Sequence, residues 1–484
     1  MSEFSDLLSL LIKNQDVNVS ALTAYCELDR STMYKLINGK RAPSSKALVQ
    51  KLASFMNLNP LETQELLQAY LLTKVGWDTY YSRKNALEFI LSFTDLHSES
   101  FQDTSALDFN AASWHTKKDT VALSGQIQIN SCIHQMVTEL LSKPDGHLFI
   151  LAQPEHLEVI NLSAMLPYAK STLHIQHIIC VNNRKGYIRS QQNYNIQCLK
   201  KIISLYEKPV TYEPYYYYDN VNSHFNNLNF LPCMFLTDSA AILCSSNLKE
   251  GVMIKDKETL HLFENRFQDI MKNTEPLTSS FHSIPNFHLK NFSIIYKEAS
   301  TSYSLSAEPC LIPCFTKDLL NKYIPDSLPQ KNTLLQELPL YIESLTKSSS
   351  HMYFTREGVL RFLMTERLHE IPDALYSPFE YEDRIKLLKK FYDQVNSSNN
   401  IRLLKGSLEK FPLNLHLAGT VNYGYLMFSG QTSMLTYILL KEQNLLSSFY
   451  DFASSLDEME MLETKDETLN YLQRVIEMNK DSIN

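Results

Sequence analysis

The chain has 484 residues, a formal net charge of −8, 44% hydrophobic residues and 20% charged residues. This composition is typical of a folded chain with two to four domains and argues against intrinsic disorder. No apolar run approaches the roughly 20 residues that cross a bilayer, and the first residues lack the features of a secretory signal. We therefore expect a cytoplasmic protein without a membrane partner.

The first predicted elements are five short helices. Asn18 and Asp29 stand where two of them begin, and a short polar side chain at such a position caps free backbone N–H groups. The segment Asn59-Pro60-Leu61-Glu62 has the pattern of a capping box ahead of the fifth helix. Apolar residues at helical spacing predict the other helices around 7–12, 22–26, 33–37 and 48–55. The sequence therefore predicts an all-α domain over residues 1–76.

A stretch of positive charge lies within this domain, and we call residues 30–51 the basic stripe. Residues 1–76 carry 8 basic and 7 acidic residues, so the rest of the chain has a net charge of −8 − 1 = −9. A cationic surface of this kind binds phosphates, and salt weakens the binding. The stripe contains no Asp or Glu, and its six basic residues are Arg30, Lys35, Lys40, Arg41, Lys46 and Lys51.

Residues 22–44 combine several features of a known DNA-binding motif, namely Leu22, Ser31-Thr32-Met33, Leu36, Asn38-Gly39-Lys40-Arg41 and Pro43-Ser44. With these features the segment resembles the helix-turn-helix of the XRE family of transcriptional regulators, which are Cro and lambda-repressor-like. The resemblance extends from Leu7 to about Tyr70, about one seventh of the chain, and it implies a lambda-repressor-like domain that binds double-stranded operator DNA. We also predict a homodimer, because one short helix contacts only a few base pairs and two copies on a palindrome supply the affinity of an operator.

The same resemblance assigns contacts to individual residues. Glu27 departs from the family, which often has glycine there, and a left-handed backbone at this residue costs roughly 1 kcal/mol. Val19 and Ile37 also differ from the family pattern. The residues implied to face base edges are Arg30, Ser31, Tyr34 and Lys35. The residues implied to face phosphates are Asn18, Asn38, Lys40, Arg41 and Ser44.

Beyond residue 76 the pattern predicts a helical connector and linker over 77–113, followed by alternating strands and helices. This alternation is typical of α/β layers. We expect one α/β domain over 114–277, beginning with a strand at Val121–Ile129, and a second over 278–484 that ends in acidic amphipathic helices. Paired apolar runs before a helix occur at Met234–Leu243 and again at Tyr425–Leu439. The recurrence indicates two similar α/β halves.

Residues Leu231–Leu248 resemble a degenerate phospholipase D motif. Asp238 and Ser245-Ser246-Asn247 lie near the expected positions, but Leu231 and Cys233 occupy the places of the nucleophilic His and the Lys. Without that His the corresponding phosphoryl transfer has no nucleophile. The resemblance therefore implies a non-catalytic domain of that fold.

Other chemical motifs are missing from the sequence. No GxxxxGK[ST], GxGxxG, HExxH or GxSxG pattern occurs, so we expect no catalytic residues and no cofactor. The eight cysteines include no CxxC pair, which predicts buried thiols and no metal site. In the tyrosine-rich run 212–218, alternate side chains of a strand point to opposite faces, and Tyr215 and Tyr217 are candidate ligand or partner contacts.

These observations predict a sequence-specific DNA-binding transcriptional regulator. Its large C-terminal region is expected to sense a small molecule, a peptide or a partner protein. Two alternatives stay open at this point. One is an enzyme whose catalytic α/β region carries a DNA-binding head, and the other is a phage or mobile-element repressor whose C-terminal region binds a protein.

Overall fold

The computed structural model describes residues 2–98, 113–160, 173–183, 193–208, 210–282, 301–329, 331–347, 350–429 and 435–479. The chain divides into two compact units. The N-terminal unit contains Met1–Asn85, and the C-terminal unit begins at Ala86. The predicted domain limits at 76, 113 and 277 remain predictions, and residues 99–112 of the predicted linker lie outside the described residues.

The N-terminal unit is helical throughout its described residues. Asn18 accepts a hydrogen bond from Ala21 N, Asp29 accepts one from Thr32 N, and Asn59 forms a capping box with Glu62, as the sequence predicted. The helices are α1 (Glu3–Asn14), α2 (Val19–Tyr25), α3 (Arg30–Ile37), α4 (Lys46–Phe55), α5 (Pro60–Val75) and α6 (Trp77–Leu91), which extends into the C-terminal unit, where α7 (Phe93–Ser98) follows. The shared core of α1–α5 includes Phe4, Leu8, Leu22, Met33, Leu36, Leu52 and Leu66.

Two backbone positions shape the turns that flank α3. Glu27 has a φ of 56°, which is the left-handed backbone considered for this residue in the sequence analysis. Gly39 has a φ of 69° at the end of α3. A Cβ on Gly39 would lie 2.7 Å from Oγ of Ser5, so glycine also permits the close approach of α1.

The C-terminal unit contains two mixed sheets among its described residues. The strands of the first sheet are β1 (Thr120–Ser124), β2 (Gly146–Leu151), β3 (Leu173–Val181), β4 (Val210–Tyr218), β5 (Cys233–Leu236), β6 (Ala241–Cys244), β7 (Glu250–Ile254) and β8 (Glu275–Pro276). Strands β2, β3 and β4 are parallel, and β5, β6 and β7 form an antiparallel meander that joins β2. The spatial order is β1-β7-β6-β5-β2-β3-β4-β8.

The second sheet follows directly in the chain. Its strands are β9 (Thr278–His282), β10 (Ser302–Ser306), β11 (Ser350–Phe354), β12 (Ile401–Leu403), β13 (Leu415–Gly419), β14 (Gly424–Ser429) and β15 (Leu435–Leu440). Strands β10, β11 and β12 are parallel, and β13, β14 and β15 form an antiparallel meander that joins β10. The spatial order is β12-β11-β10-β13-β14-β15-β9.

The two sheets have the same topology. Numbered from its own first strand, each sheet has the order 1-7-6-5-2-3-4, and the first sheet adds only the short β8 at one edge. Ala152-Gln153-Pro154 follows β2, and Ala307-Glu308-Pro309 follows the corresponding β10. A helix follows the last meander strand in both cases. This correspondence supports the two similar α/β halves expected from the sequence.

Helices complete the C-terminal unit. Ile150 and Ile179 of the first sheet share a hydrophobic core with Leu305 and Phe428 of the second, so the two halves pack as one body. The outer face of the second sheet has its own core around Phe354 and helix residues such as Ile385 and Leu388. The helices are α8 (Gln126–Leu141), α9 (Tyr194–Ile202), α10 (Lys257–Met271), α11 (Lys317–Tyr323), α12 (Lys331–Lys347), α13 (Arg356–Thr365), α14 (Tyr381–Ser397), α15 (Gln443–Ser454) and α16 (Lys465–Met478).

One predicted element is wrong in part. The expected strand Val121–Ile129 ends at Ser124, and α8 begins at Gln126. Gly125, with a φ of 89°, breaks the strand, and Ile129 then lies on the buried face of α8 with Ile133. The apolar run continues through a change of structure, so its length misled the prediction.

Across the described residues, no helix combines the length and apolarity that a bilayer crossing requires.

Candidate DNA-binding surface

The arrangement of α2 and α3 follows from their caps and buried residues. The side chain of Asp29 accepts hydrogen bonds from N and Oγ1 of Thr32, at 2.8 and 2.7 Å, and these bonds hold the pKa of Asp29 below its usual value. Leu22 of α2 and Met33 and Leu36 of α3 are buried in the shared core. Because these side chains point inward, the opposite face of α3 is left to solvent.

The residues predicted to contact bases share that outer face. Arg30, Ser31, Tyr34 and Lys35 are all exposed, and Tyr34 keeps 55% of its surface accessible. They occupy positions i, i+1, i+4 and i+5 of the helix, which places them side by side. An eight-residue helix with such a face has the dimensions that fit a DNA major groove.

The residues predicted to contact phosphates lie at the ends of helices or in the turn after α3. Asn18, Asn38, Lys40, Arg41 and Ser44 are all exposed. Asn38 is the C-cap of α3, and the backbone N–H groups of Lys40 and Arg41 both donate to the Lys35 carbonyl. The Asn18 carboxamide oxygen already accepts from Ala21 N, so its NH₂ group is the part of the side chain that remains for a phosphate.

The charged side chains of the basic stripe differ in whether they form ion pairs. Lys51 forms an exposed ion pair with Glu27, with 3.2 Å between Nζ and Oε1. By contrast, Arg30, Lys35, Lys40 and Arg41 form no ion pair with any residue that the structure describes. These four cations are therefore available to an anionic partner.

The tyrosine-rich strand β4 shows the predicted alternation. Tyr212 and Tyr216 are buried on the face that joins the core shared by both sheets. Tyr215 and Tyr217 are half-buried and pack on the opposite face, against a cluster that includes Phe267 of α10. The proposed role of Tyr215 and Tyr217 in ligand or partner contact remains a prediction.

The residues at the phospholipase-D-like positions do not converge. Cys233 is fully buried in β5, where its thiol hydrogen-bonds with Cys244 and His156. Asp238 is exposed in the β5–β6 turn and forms an ion pair with Lys143. All eight cysteines are buried, none forms a disulfide, and no cluster of metal-ligating side chains occurs among the described residues.

Sequence reasoning did not find an apolar cleft in the second half. The cleft lies between α11, α12 and the segment that joins α13 to α14, and Glu370 lines it together with aromatic side chains. Nothing in the local sequence Leu368–Leu375 distinguishes this glutamate from an exposed loop residue. Only the folded contacts of Glu370 reveal its position.

Comparisons with known proteins add little to this geometry. No protein-family model and no curated protein matches the sequence. The archaeal chromatin protein TrmBL2, described as having a novel mode of DNA binding, aligns at 12% identity over 56% of this chain and 99% of its own, with a TM-score of 0.21. A phosphatidylserine synthase from Haemophilus influenzae aligns at 12% identity over 75% of this chain and 92% of its own, with a TM-score of 0.22. Neither likeness carries an argument about this chain.

Proposed function

We propose that this chain is a cytoplasmic, sequence-specific DNA-binding transcriptional regulator of the XRE type. The observation that carries the proposal is the exposed outer face of α3 and the turn after it, where Arg30, Lys35, Lys40 and Arg41 have no ion pair within the described residues. Phosphates and guanine edges are the partners that such a face binds. The lambda-repressor-like character of the N-terminal helices is part of this proposal.

We further propose that the regulator acts as a homodimer. A single helix of eight residues spans only a few base pairs. Two copies on a palindromic site supply the affinity and half-site spacing of typical operators. The C-terminal unit, with its two similar halves, then has the role of sensing an effector.

Substitutions within the stripe distinguish contacts to bases from contacts to phosphates. We expect Lys35→Ala to lose about 1–3 kcal/mol of discrimination at particular base pairs, because Lys35 lies on the groove-facing side of α3. We expect Lys40→Ala to weaken binding to all duplexes alike and to reduce the salt slope of log K by about one unit. Fluorescence anisotropy with the duplex selected by the full chain from a random library, and with single-base variants of that duplex, measures both effects.

Lys13→Ala is the matched control, because Lys13 is an exposed lysine at the end of α1 outside the stripe. This substitution should leave both the base preference and the salt slope unchanged. Identical behaviour of the Lys35 and Lys40 variants across salt concentrations and duplexes would contradict the assigned division of contacts.

A further inference from the structure

The cleft in the second half has mostly apolar walls. It holds a cavity of about 90 Å³ that is open to solvent. The walls are mostly aliphatic, and their aromatic members are Phe315, Tyr323, Tyr341, Tyr376, Phe379 and Tyr437.

The segment that carries Glu370 is held in place against these walls. Leu368 N donates to the Tyr376 hydroxyl at 2.7 Å, and Phe379 N donates to the Glu366 carbonyl at 2.9 Å. Tyr376 and Phe379 also pack against each other, with 5.3 Å between ring centroids. The cleft therefore has a wall fixed by hydrogen bonds as well as by packing.

Glu370 is the only residue with a carboxylate or a basic group among the described residues that line the cleft. Its side chain is 14% exposed, and its Oε1 atom is buried without a hydrogen-bond partner. Its carboxyl group accepts a hydrogen bond from the Cys310 thiol. An ionised carboxylate among apolar walls needs a cation.

Among the residues that the structure describes, no Lys or Arg side chain forms an ion pair with Glu370. The basic group beside it is His416, whose Nδ1 lies 3.9 Å from Glu370 Oε2 and whose other ring nitrogen is 2.9 Å from Ser304 Oγ. Burial lowers the pKa of His416 to about 3 and that of His369 to about 4, so both rings are neutral near pH 7. Arg361 lies instead beside Glu308, with 3.5 Å between Nε and Oε1.

We propose that this cleft binds an apolar molecule that carries one protonated primary amine. The ammonium group donates to the partly exposed carboxylate of Glu370, and the hydrocarbon or aryl body lies between the aromatic walls. Aromatic faces and a buried carboxylate are together the groups that hold organic cations in proteins. The view that such an amine is the effector of transcription rests on the proposed function, whereas the binding itself does not.

The pH dependence of binding identifies the charge of the bound ligand. Burial raises the pKa of Glu370 to about 7, helped by the nearby Glu308 and opposed by the Cys310 hydrogen bond. An ammonium ion stabilises the carboxylate, so binding below pH 7 must release a proton and affinity must fall as pH falls, by up to tenfold per unit. The affinity for a ligand that accepts a hydrogen bond from protonated Glu370 would instead rise as pH falls.

Other titrating groups face Glu370 and need a control. His369 and His416 stay neutral between pH 5.5 and 8.5, given pKa values of about 4 and 3, and burial keeps the Cys310 and Tyr437 protons bound by raising their pKa values. Glu308 titrates in the same range as Glu370, because burial raises its pKa to about 7 as well. A Glu308→Gln variant therefore separates the two carboxyl groups.

The experiment is calorimetric titration of the full chain, without DNA, with phenylbutylamine, phenylbutanol and phenylbutyrate as probes of matched shape. We expect the amine to bind at least about tenfold more tightly than the alcohol at pH 8, and Glu370→Gln to remove that preference. Glu308→Gln should keep the preference. Leu338→Trp, which places a larger ring in the cleft, should weaken binding of the amine in either background.

Equal affinity for amine and alcohol, tighter binding of phenylbutyrate, or an amine preference that survives in Glu370→Gln would each overturn the proposal. Failure of the amine to bind at millimolar concentration would overturn it as well. Since no DNA is present, these outcomes are independent of whether the N-terminal unit binds an operator.

Discussion

Replacing Gly358 with alanine is expected to destabilise the C-terminal unit by at least about 3 kcal/mol, although alanine is the better helix former. Gly358 lies in the first turn of α13, directly against the chain that leaves β10. A Cβ on this residue would lie 1.8 Å from the Ala307 carbonyl oxygen, a backbone atom that no side-chain rotation can move. The same carbonyl accepts hydrogen bonds from N and Oγ1 of Thr355, so the helix cannot shift without losing both bonds.

The chain contains two tryptophans, which makes this prediction measurable. Trp114 is buried in the C-terminal unit, with 2% exposure, whereas Trp77 lies in the N-terminal unit. Urea unfolding followed by Trp114 fluorescence in a Trp77→Phe background therefore reports on the C-terminal unit alone. The neighbouring exposed Glu357→Ala should change the free energy of unfolding by less than about 1 kcal/mol. A Gly358→Ala protein as stable as the Glu357→Ala protein would refute the close approach of α13 to β10.

Replacing Glu442 with alanine is expected to cost about 3–5 kcal/mol of stability. Glu442 is fully buried and caps α15, where its carboxylate accepts hydrogen bonds from the backbone N–H groups of Asn444 and Leu445, both at 2.8 Å. It also accepts from Asn195 Nδ2 at 3.3 Å and from the Tyr218 hydroxyl, two residues of the first half. Removing the carboxylate leaves four donors without their acceptor, in a place that joins the two halves.

Thr464→Ala is the matched control, since Thr464 caps α16 in the same unit but is exposed. The loss there should be about 1 kcal/mol, the usual value for a helix cap. Glu442→Gln keeps one acceptor oxygen, so its loss of stability should lie between those of Glu442→Ala and Thr464→Ala. All three variants are measured by the same Trp114 fluorescence. Equal losses for Glu442→Ala and Thr464→Ala would show that the buried network adds nothing beyond capping.

The elements that the sequence predicted correctly are those whose local chemistry agrees with their final environment. The apolar runs Leu148–Ile150 of β2 and Ile178–Val181 of β3 are buried at successive positions, because both faces of these strands are covered there. The caps at Asn18, Asp29 and Asn59 act within one helical turn, so spacing alone revealed them. The exposed face of α3 follows from the same local periodicity.

The elements that sequence reasoning missed depend on distant partners. Strand β10 has the sequence Ser-Tyr-Ser-Leu-Ser, and its polar side chains at 302, 304 and 306 are nevertheless buried. Two of these buried hydroxyl groups have hydrogen-bond partners in the fold, since Ser304 hydrogen-bonds His416 and Ser306 donates to the Glu308 carbonyl. Glu370 was missed for a similar reason, since its unmet Oε1 is a property of the surrounding cleft. No periodicity in the sequence encodes such contacts.

DNA binding by α3 and the turn after it is best measured as the affinity of the purified full chain for a random duplex library as a function of salt. We expect binding at low ionic strength, with log K falling linearly as log salt rises. Selected sequences should form palindromes with half-sites one helical turn or a multiple of it apart. Simultaneous substitution of Arg30, Lys35, Lys40 and Arg41 by alanine should abolish the binding while leaving the protein folded. A folded full chain that binds no duplex at low ionic strength, or one whose binding survives that substitution, would show that this surface is not a DNA-binding site.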